Sequence, residues 1–253
     1  MDVHLPHHPV RRWSDFWVHL GTITAGLLIA LGLEHAVGVL HRLHQRHDLQ
    51  HDLHAEAERN EQILAHDIDV LQHENNYFVA LRSNVDALRR GTDAASLPQL
   101  PERSGEDPFL PSAGAWTSAR DSSQLSLLPR EQASIYEELY AQRDFLQQAV
   151  FDWFHSSDEL ETFLSNTQAA DATSHLDPAQ LTPAQQDQYS ELLSQQITRI
   201  GSILGDLRFY ESENSGVLHG VSDIDELHQQ VLSRTIATSP STIKSDDSSR
   251  KNP

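Results

Sequence analysis

The chain contains no cysteine. That removes disulfides, thiolate nucleophiles and every Cys-based zinc or iron–sulfur arrangement. It leaves the compartment open, because a domain of this size needs no covalent staples. Lysine is almost missing as well: Lys244 and Lys251 stand against 16 arginines, a compositional bias and not a functional signal. No strand pattern of useful length is present, and no repeat of solenoid period. The residues contain no G-x-S-x-G, H-E-x-x-H, Walker A or G-x-G-x-x-G pattern. Nothing in the sequence therefore marks an enzyme. No receiver, kinase or helix-turn-helix segment follows the helical region, so a conventional sensor with its own output part is the second reading.

Positive charge is scarce overall, with a formal net charge of −19 over 253 residues. Up to residue 42, Arg11, Arg12 and Arg42 balance Asp2, Asp15 and Glu34, so the later residues hold the whole excess. A domain this acidic repels phosphates, which speaks against nucleic acid as a partner. It is also repelled by anionic lipid and should stand off a membrane surface.

Charge of either sign is missing altogether from Phe16 to Leu33, 18 residues in which only His19 titrates. A helix rises about 1.5 Å per residue, so the run spans roughly 27 Å, near the thickness of a bilayer core. Trp13, Phe16 and Trp17 form an aromatic belt at one end, and Glu34 falls at the headgroup level. The run exceeds the ~7–15 apolar residues of a cleaved signal, and no A-x-A site follows it. The expectation is a transmembrane helix over residues 16–40, behind a polar lead over 1–15. The arginine counts on the two sides are nearly tied. By likeness to an uncleaved signal, the acidic domain is expected outside the cytoplasm. Gly21–Ala25, Gly26–Ala30 and Gly32–Ala36 are small-xxx-small pairs that allow close helix approach in lipid, a motif of low specificity.

The remainder reads as all-α. From His41 to Arg90 there is no proline or glycine, and Gly91 behind two arginines signals a helix end. A 3–4 spacing runs through Gln50, Leu53, Ala57, Asn60, Leu64, Asp67, Leu71, Glu74, Phe78, Leu81, Val85 and Leu88. Asn60, Asp67 and Glu74 inside this stripe suit an irregular bundle better than a two-stranded coiled coil. Such a stripe also offers a surface for a second copy or a protein partner. The four prolines and one glycine of residues 92–112 predict a floppy loop. Ser112 is expected to cap a short helix with Trp116, Ala119 and Leu127 on its apolar side. Pro129 opens the next helix, to about Asn166, in which Tyr136, Leu139, Leu146, Val150, Trp153, Leu160 and Leu164 share a face that Phe145, Phe151, Phe154 and Phe163 widen. This aromatic concentration is expected to centre the core, ahead of a ligand pocket. After a linker over 167–181, Thr182-Pro183-Ala184-Gln185 starts a helix. Asn214-Ser215-Gly216 and Gly220 are expected to break it. Ser222 with Asp225 starts a last helix to about Ile236. The helical domain thus covers 41–236, with a loop at 91–112, and 237–253 reads as a disordered tail.

His41, His44, His47, His51 and His54 follow the apolar run on one broad helix side. His47 and His51, at i and i+4, are suited to hold a divalent metal jointly, but a site needs further ligands, and Asp48 and Asp52 are expected to project elsewhere. The plain expectation is a solvated face beside headgroups that gains charge in mild acid. No catalytic, cofactor or metal residue is assigned.

Two stretches carry a resemblance. The run Gly26-Leu27-Leu28-Ile29-Ala30-Leu31 with Glu34, and the set Trp116, Ala119, Leu125, Pro129, Tyr136 and Tyr140, resemble a group of uncharacterised bacterial membrane-anchored proteins. The resemblance implies one inner-membrane anchor and an exported helical domain. It brings no activity, and the histidine run is not part of it.

Overall fold

The computed structural model describes residues 13–167, 177–221 and 223–238. The expectations for the polar lead, most of the linker after residue 167, Ser222 as a helix start and the tail fall outside them wholly or in large part. The fold is all-α: α1 (Trp13–Arg89), α2 (Gly114–Asp121), α3 (Arg130–Asn166), α4 (Pro183–Leu218) and α5 (Ile224–Thr238). Short 3-10 turns lie at Ala94–Ser96, Gln124–Leu127 and Pro178–Gln180. The chain divides into two compact units between His51 and Asp52.

In the first unit α1 contains a run long and apolar enough, by length and composition, to cross a membrane, and none of its 18-residue window is buried. Ile23, Leu27, Leu28, Ile29 and Leu33 are all exposed.

The second unit is a helical bundle. The α1 stripe is buried in it: Leu53, Leu64, Leu71 and Val85 are fully enclosed. Each such leucine contributes about 1.5–3 kcal/mol by leaving water. α3 and α4 run antiparallel, tied where the Trp153 indole donates to Gln196 Oε1 at 2.9 Å and where Phe163 stacks on Tyr189 at 5.4 Å. α4 also runs antiparallel to α1, with Ser190 Oγ donating to Asp86 at 2.9 Å near one end and Asn214 Nδ2 donating to the Ala57 carbonyl at 2.9 Å near the other.

Helix ends follow local chemistry. Gly91 (φ 86°) and Gly220 (φ 78°) take the left-handed conformation that an L side chain resists. Around them Thr92 N–H bonds the Ala87 carbonyl and Val221 N–H bonds the Gly216 carbonyl, the six-to-one closure of a Schellman end. Thr182 and Gln185 form the expected reciprocal cap of α4. The Asp223 carboxylate accepts from Asp225 N–H and Glu226 N–H and so caps α5.

Four expectations are corrected. Asn214-Ser215-Gly216 do not break α4, which runs on to Leu218 with these residues buried. Enclosure by neighbouring helices outweighs their weak helix propensity. On α3, Phe145, Phe151 and Phe154 are exposed and only Phe163 of the four is buried. The stripe residues from Tyr136 to Leu160 fill the core without those three, and Phe163, not the half-buried Leu164, completes it.

The largest correction concerns residues 92–112. This segment is strapped antiparallel along α1. Asn84 Nδ2 donates to the Pro98 carbonyl at 3.0 Å, and Arg103 Nε donates to Glu74 at 3.0 Å. Asp67 accepts from the N–H groups of Phe109 and Leu110 at 2.9 and 3.2 Å. Asn60 matches both backbone groups of Ser112, accepting its N–H at 2.7 Å and donating to its carbonyl at 3.0 Å. From Asn84 to Asn60 the helix rises roughly 36 Å, so the chain from Pro98 to Ser112 advances about 2.6 Å per residue, well above the ~1.5 Å of a helix and below the ~3.3 Å of a fully extended chain. Leu110 sits at φ 63°, a strained value for leucine, held by the paired Asp67 bonds. The expected Ser112 cap shifts as well. The N-cap of α2 is Ala113, whose side chain caps nothing; Ser112 Oγ accepts from Gly114 N–H at 3.4 Å, and Glu56 of α1 accepts from Ala115 N–H at 2.9 Å.

Candidate metal centre

The histidine run shows no metal geometry. His41, His44, His47, His51 and His54 are all exposed. His44 faces Asp48 at 3.6 Å and His54 faces Glu58 at 3.6 Å, each pair one helical turn apart. Asp48 therefore lies beside a histidine, not turned away from the run as its spacing from His47 suggests. Among the described residues, no group of three or more histidine or carboxylate ligands includes His47 or His51.

One such group lies elsewhere, at Glu138, Glu213 and His228. α3, α4 and α5 each supply one residue. Local structure fixes each position. Glu138 is flanked on α3 by the buried Tyr136, Leu139 and Tyr140, which set the rotation of that helix. Glu213 lies in the last turns of α4, where Ser212, Asn214, Ser215 and Val217 are also buried. His228 follows Leu227, which with Val231 anchors α5 in the core.

The ligand atoms of the three side chains all lie within 4.8 Å of one another. His228 Nε2 pairs with Glu138 Oε1 at 2.5 Å. Glu213 is 0% exposed, yet among the described residues neither of its carboxylate oxygens has a hydrogen-bond partner. A buried charge without partners costs several kcal/mol, so native proteins rarely keep one. Burial pushes the Glu213 carboxyl up to about 7; the Glu138 charge adds to the rise and His228 opposes it. The hydrogen bond to Glu138 raises His228 above the ordinary imidazole value against the effect of burial, and the Glu138, Glu213 and Asp225 charges add to the rise.

Such a set can hold a divalent cation or store a proton. No sequence spacing marks it, because its members lie 75 and 15 residues apart. One signal was available. The 3–4 stripe of α4 continues past Leu207 through Tyr210 to Asn214 and Val217, which carries the neighbouring Glu213 into the interior. Comparisons with protein-family models, with curated proteins and with solved structures found no match for this chain, so the site is read from its own geometry.

Proposed function

We propose that this is a single-pass membrane protein of a bacterial inner membrane, held by residues 16–40, whose helical domain stands outside the cytoplasm. It acts there by binding, as an interaction or scaffold module and not as a catalyst. The observation that carries the reading is the complete exposure of the apolar window of α1. An uncovered apolar surface of this length is unstable in water, and a bilayer covers it. The acidic excess supports a domain held away from anionic headgroups and from nucleic acid. The α1 stripe from Leu53 onward is consumed by the chain's own core. A protein partner or second copy would therefore use another surface. Alkaline extraction of membranes tests the anchor, and protease treatment of intact spheroplasts tests the side. Release of the chain by carbonate ends the membrane reading, and survival of the domain in spheroplasts reverses the topology.

A second reading, a membrane-tethered sensor of a metal, of pH or of a small ligand, draws on one observation: Glu213 is enclosed beside Glu138 and His228 without a hydrogen-bond partner among the described residues. A ligand-dependent rise in melting temperature of the purified chain favours it over the scaffold.

A further inference from the structure

We infer that Glu138, Glu213 and His228 form a binding site for one divalent first-row transition-metal ion that fastens α5 to α3 and α4. The inference goes beyond the tethering reading and does not depend on it.

Three features point the same way. The first is the lone buried carboxylate. Glu213 is fully enclosed, and among the described residues both of its oxygens lack a donor while one of them lies within 4.8 Å of ligand atoms on Glu138 and His228. A bound cation supplies the missing partner and removes the cost of an unpaired charge. The second is the charge balance. Two carboxylates and a neutral imidazole carry −2, which a divalent ion cancels. The third is access. The side chains of His228 and Glu138 are 44% and 33% exposed, which opens a route from solvent to the buried Glu213.

The ligand types set the class of ion. Calcium and magnesium prefer all-oxygen shells, whereas an imidazole nitrogen among carboxylates suits zinc or manganese. Bonds of about 2.1 Å place neighbouring donors roughly 3.0–3.4 Å apart, so the His228–Glu138 pair, now at 2.5 Å, must open slightly while Glu213, within 4.8 Å of both, swings into the same shell. Rotation about the long glutamate torsions supplies that. Three protein ligands leave the remaining positions to water, and the ion takes the place of the direct His228–Glu138 hydrogen bond. Because each ligand comes from a different helix, the ion cross-links α5 to α3 and α4.

The test uses the full chain without an affinity tag, in detergent micelles, stripped with EDTA. His41, His44, His47, His51 and His54 are replaced by Gln so that the juxtamembrane run cannot contribute. Zinc chloride and manganese chloride are titrated by calorimetry and by competition with a chromophoric chelator. The expected result is one ion per chain for at least one metal, with a melting temperature that rises on binding. In that background Glu213→Gln and His228→Gln each weaken binding about tenfold or more and abolish the rise. Glu213→Gln removes a buried unpaired charge and should fold at least as well as its parent, which a melting curve without metal verifies. Unchanged affinity in Glu213→Gln overturns the inference, and so does the absence of saturable binding of both metals.

Discussion

The phenol of Tyr140 on α3 donates to the carboxylate of Glu56 on α1, and the same carboxylate accepts from the N–H groups of Ala115 and Trp116 at the start of α2 and from Ser112 Oγ. One buried side chain on the first helix thus organises two others. Trp116 stacks on the Tyr140 ring at 5.0 Å and closes the arrangement. Glu56→Gln turns one acceptor into a donor facing other donors, and is expected to cost on the order of 2–4 kcal/mol. Tyr140→Phe should cost about 1–2 kcal/mol. In the double variant the losses should fall short of additive, which a denaturation double-mutant cycle measures.

The same pair sets an acid limit. Burial raises the Glu56 carboxyl, but its hydrogen bonds from Tyr140, Ala115, Trp116 and Ser112 together outweigh burial and hold it below the ordinary value of 4.5. For a depressed carboxyl the stabilisation is present above 4.5 and is lost as pH falls through the lower, folded value. The wild-type melting temperature is therefore expected to drop below pH 4.5, and Glu56→Gln should show a shallower drop. Parallel melting curves of the two proteins between pH 3 and 6 would contradict the assignment.

The strap along α1 makes a prediction about proteolysis. Arg103 is an exposed trypsin target whose guanidinium pairs with Glu74 and lies over the rings of Tyr77 and Phe78, 5.2 and 5.5 Å from their centroids. While the strap is held, cleavage there should be slow. Asp67→Ala removes the acceptor of two backbone N–H groups and should speed cleavage after Arg103 roughly in proportion to the ~2–3 kcal/mol of hydrogen bonding lost. Mass spectrometry of timed digests reads the rate at that bond, and equal rates in the two proteins would mean the strap is not clamped.

How far the sequence revealed this molecule varies element by element. The α1 stripe, the Thr182–Gln185 cap and the Gly91 stop follow from local chemistry and were legible. Asn60, Asp67 and Glu74 stood out as polar residues in an apolar stripe, but what they hold lies 29 to 52 residues away. Proline and glycine content describes how a segment behaves alone, so it could not show that residues 98–112 are gripped from outside. Glu138, Glu213 and His228 were hidden for the same reason, because only the packing of three helices brings them together.

Glu213 should also reveal itself through stability. In metal-free buffer at pH 8, Glu213→Gln is expected to raise the midpoint of unfolding, by an amount corresponding to about 1–3 kcal/mol, since a neutral amide replaces an enclosed carboxylate without partners. A binding residue that costs stability when empty is a common trade. A lower midpoint would mean that Glu213 has partners in solution that the structure does not show.

The anchor can be tested with single charges. Leu28 and Ile29 are 63% exposed in the middle of the apolar run. Asp at either position is expected to cost about 2.5–3.5 kcal/mol of membrane insertion, and Asp at both to release much of the chain from carbonate-washed membranes. Retention equal to wild type would count against lipid as the cover for this surface.

The grip on the strap has a consequence for how this protein can change over generations. Asn84, Asp67 and Asn60 hold the carbonyl of Pro98, the N–H groups of Phe109 and Leu110, and both backbone groups of Ser112. All of these belong to the main chain, and all but the missing N–H of a proline are common to every residue. Homologues are thus free to drift in the identity of most residues from 98 to 112 other than Arg103 and Ser112, whose side chains meet Glu74 and Glu56, provided the holding side chains on α1 and the length of the strap stay fixed.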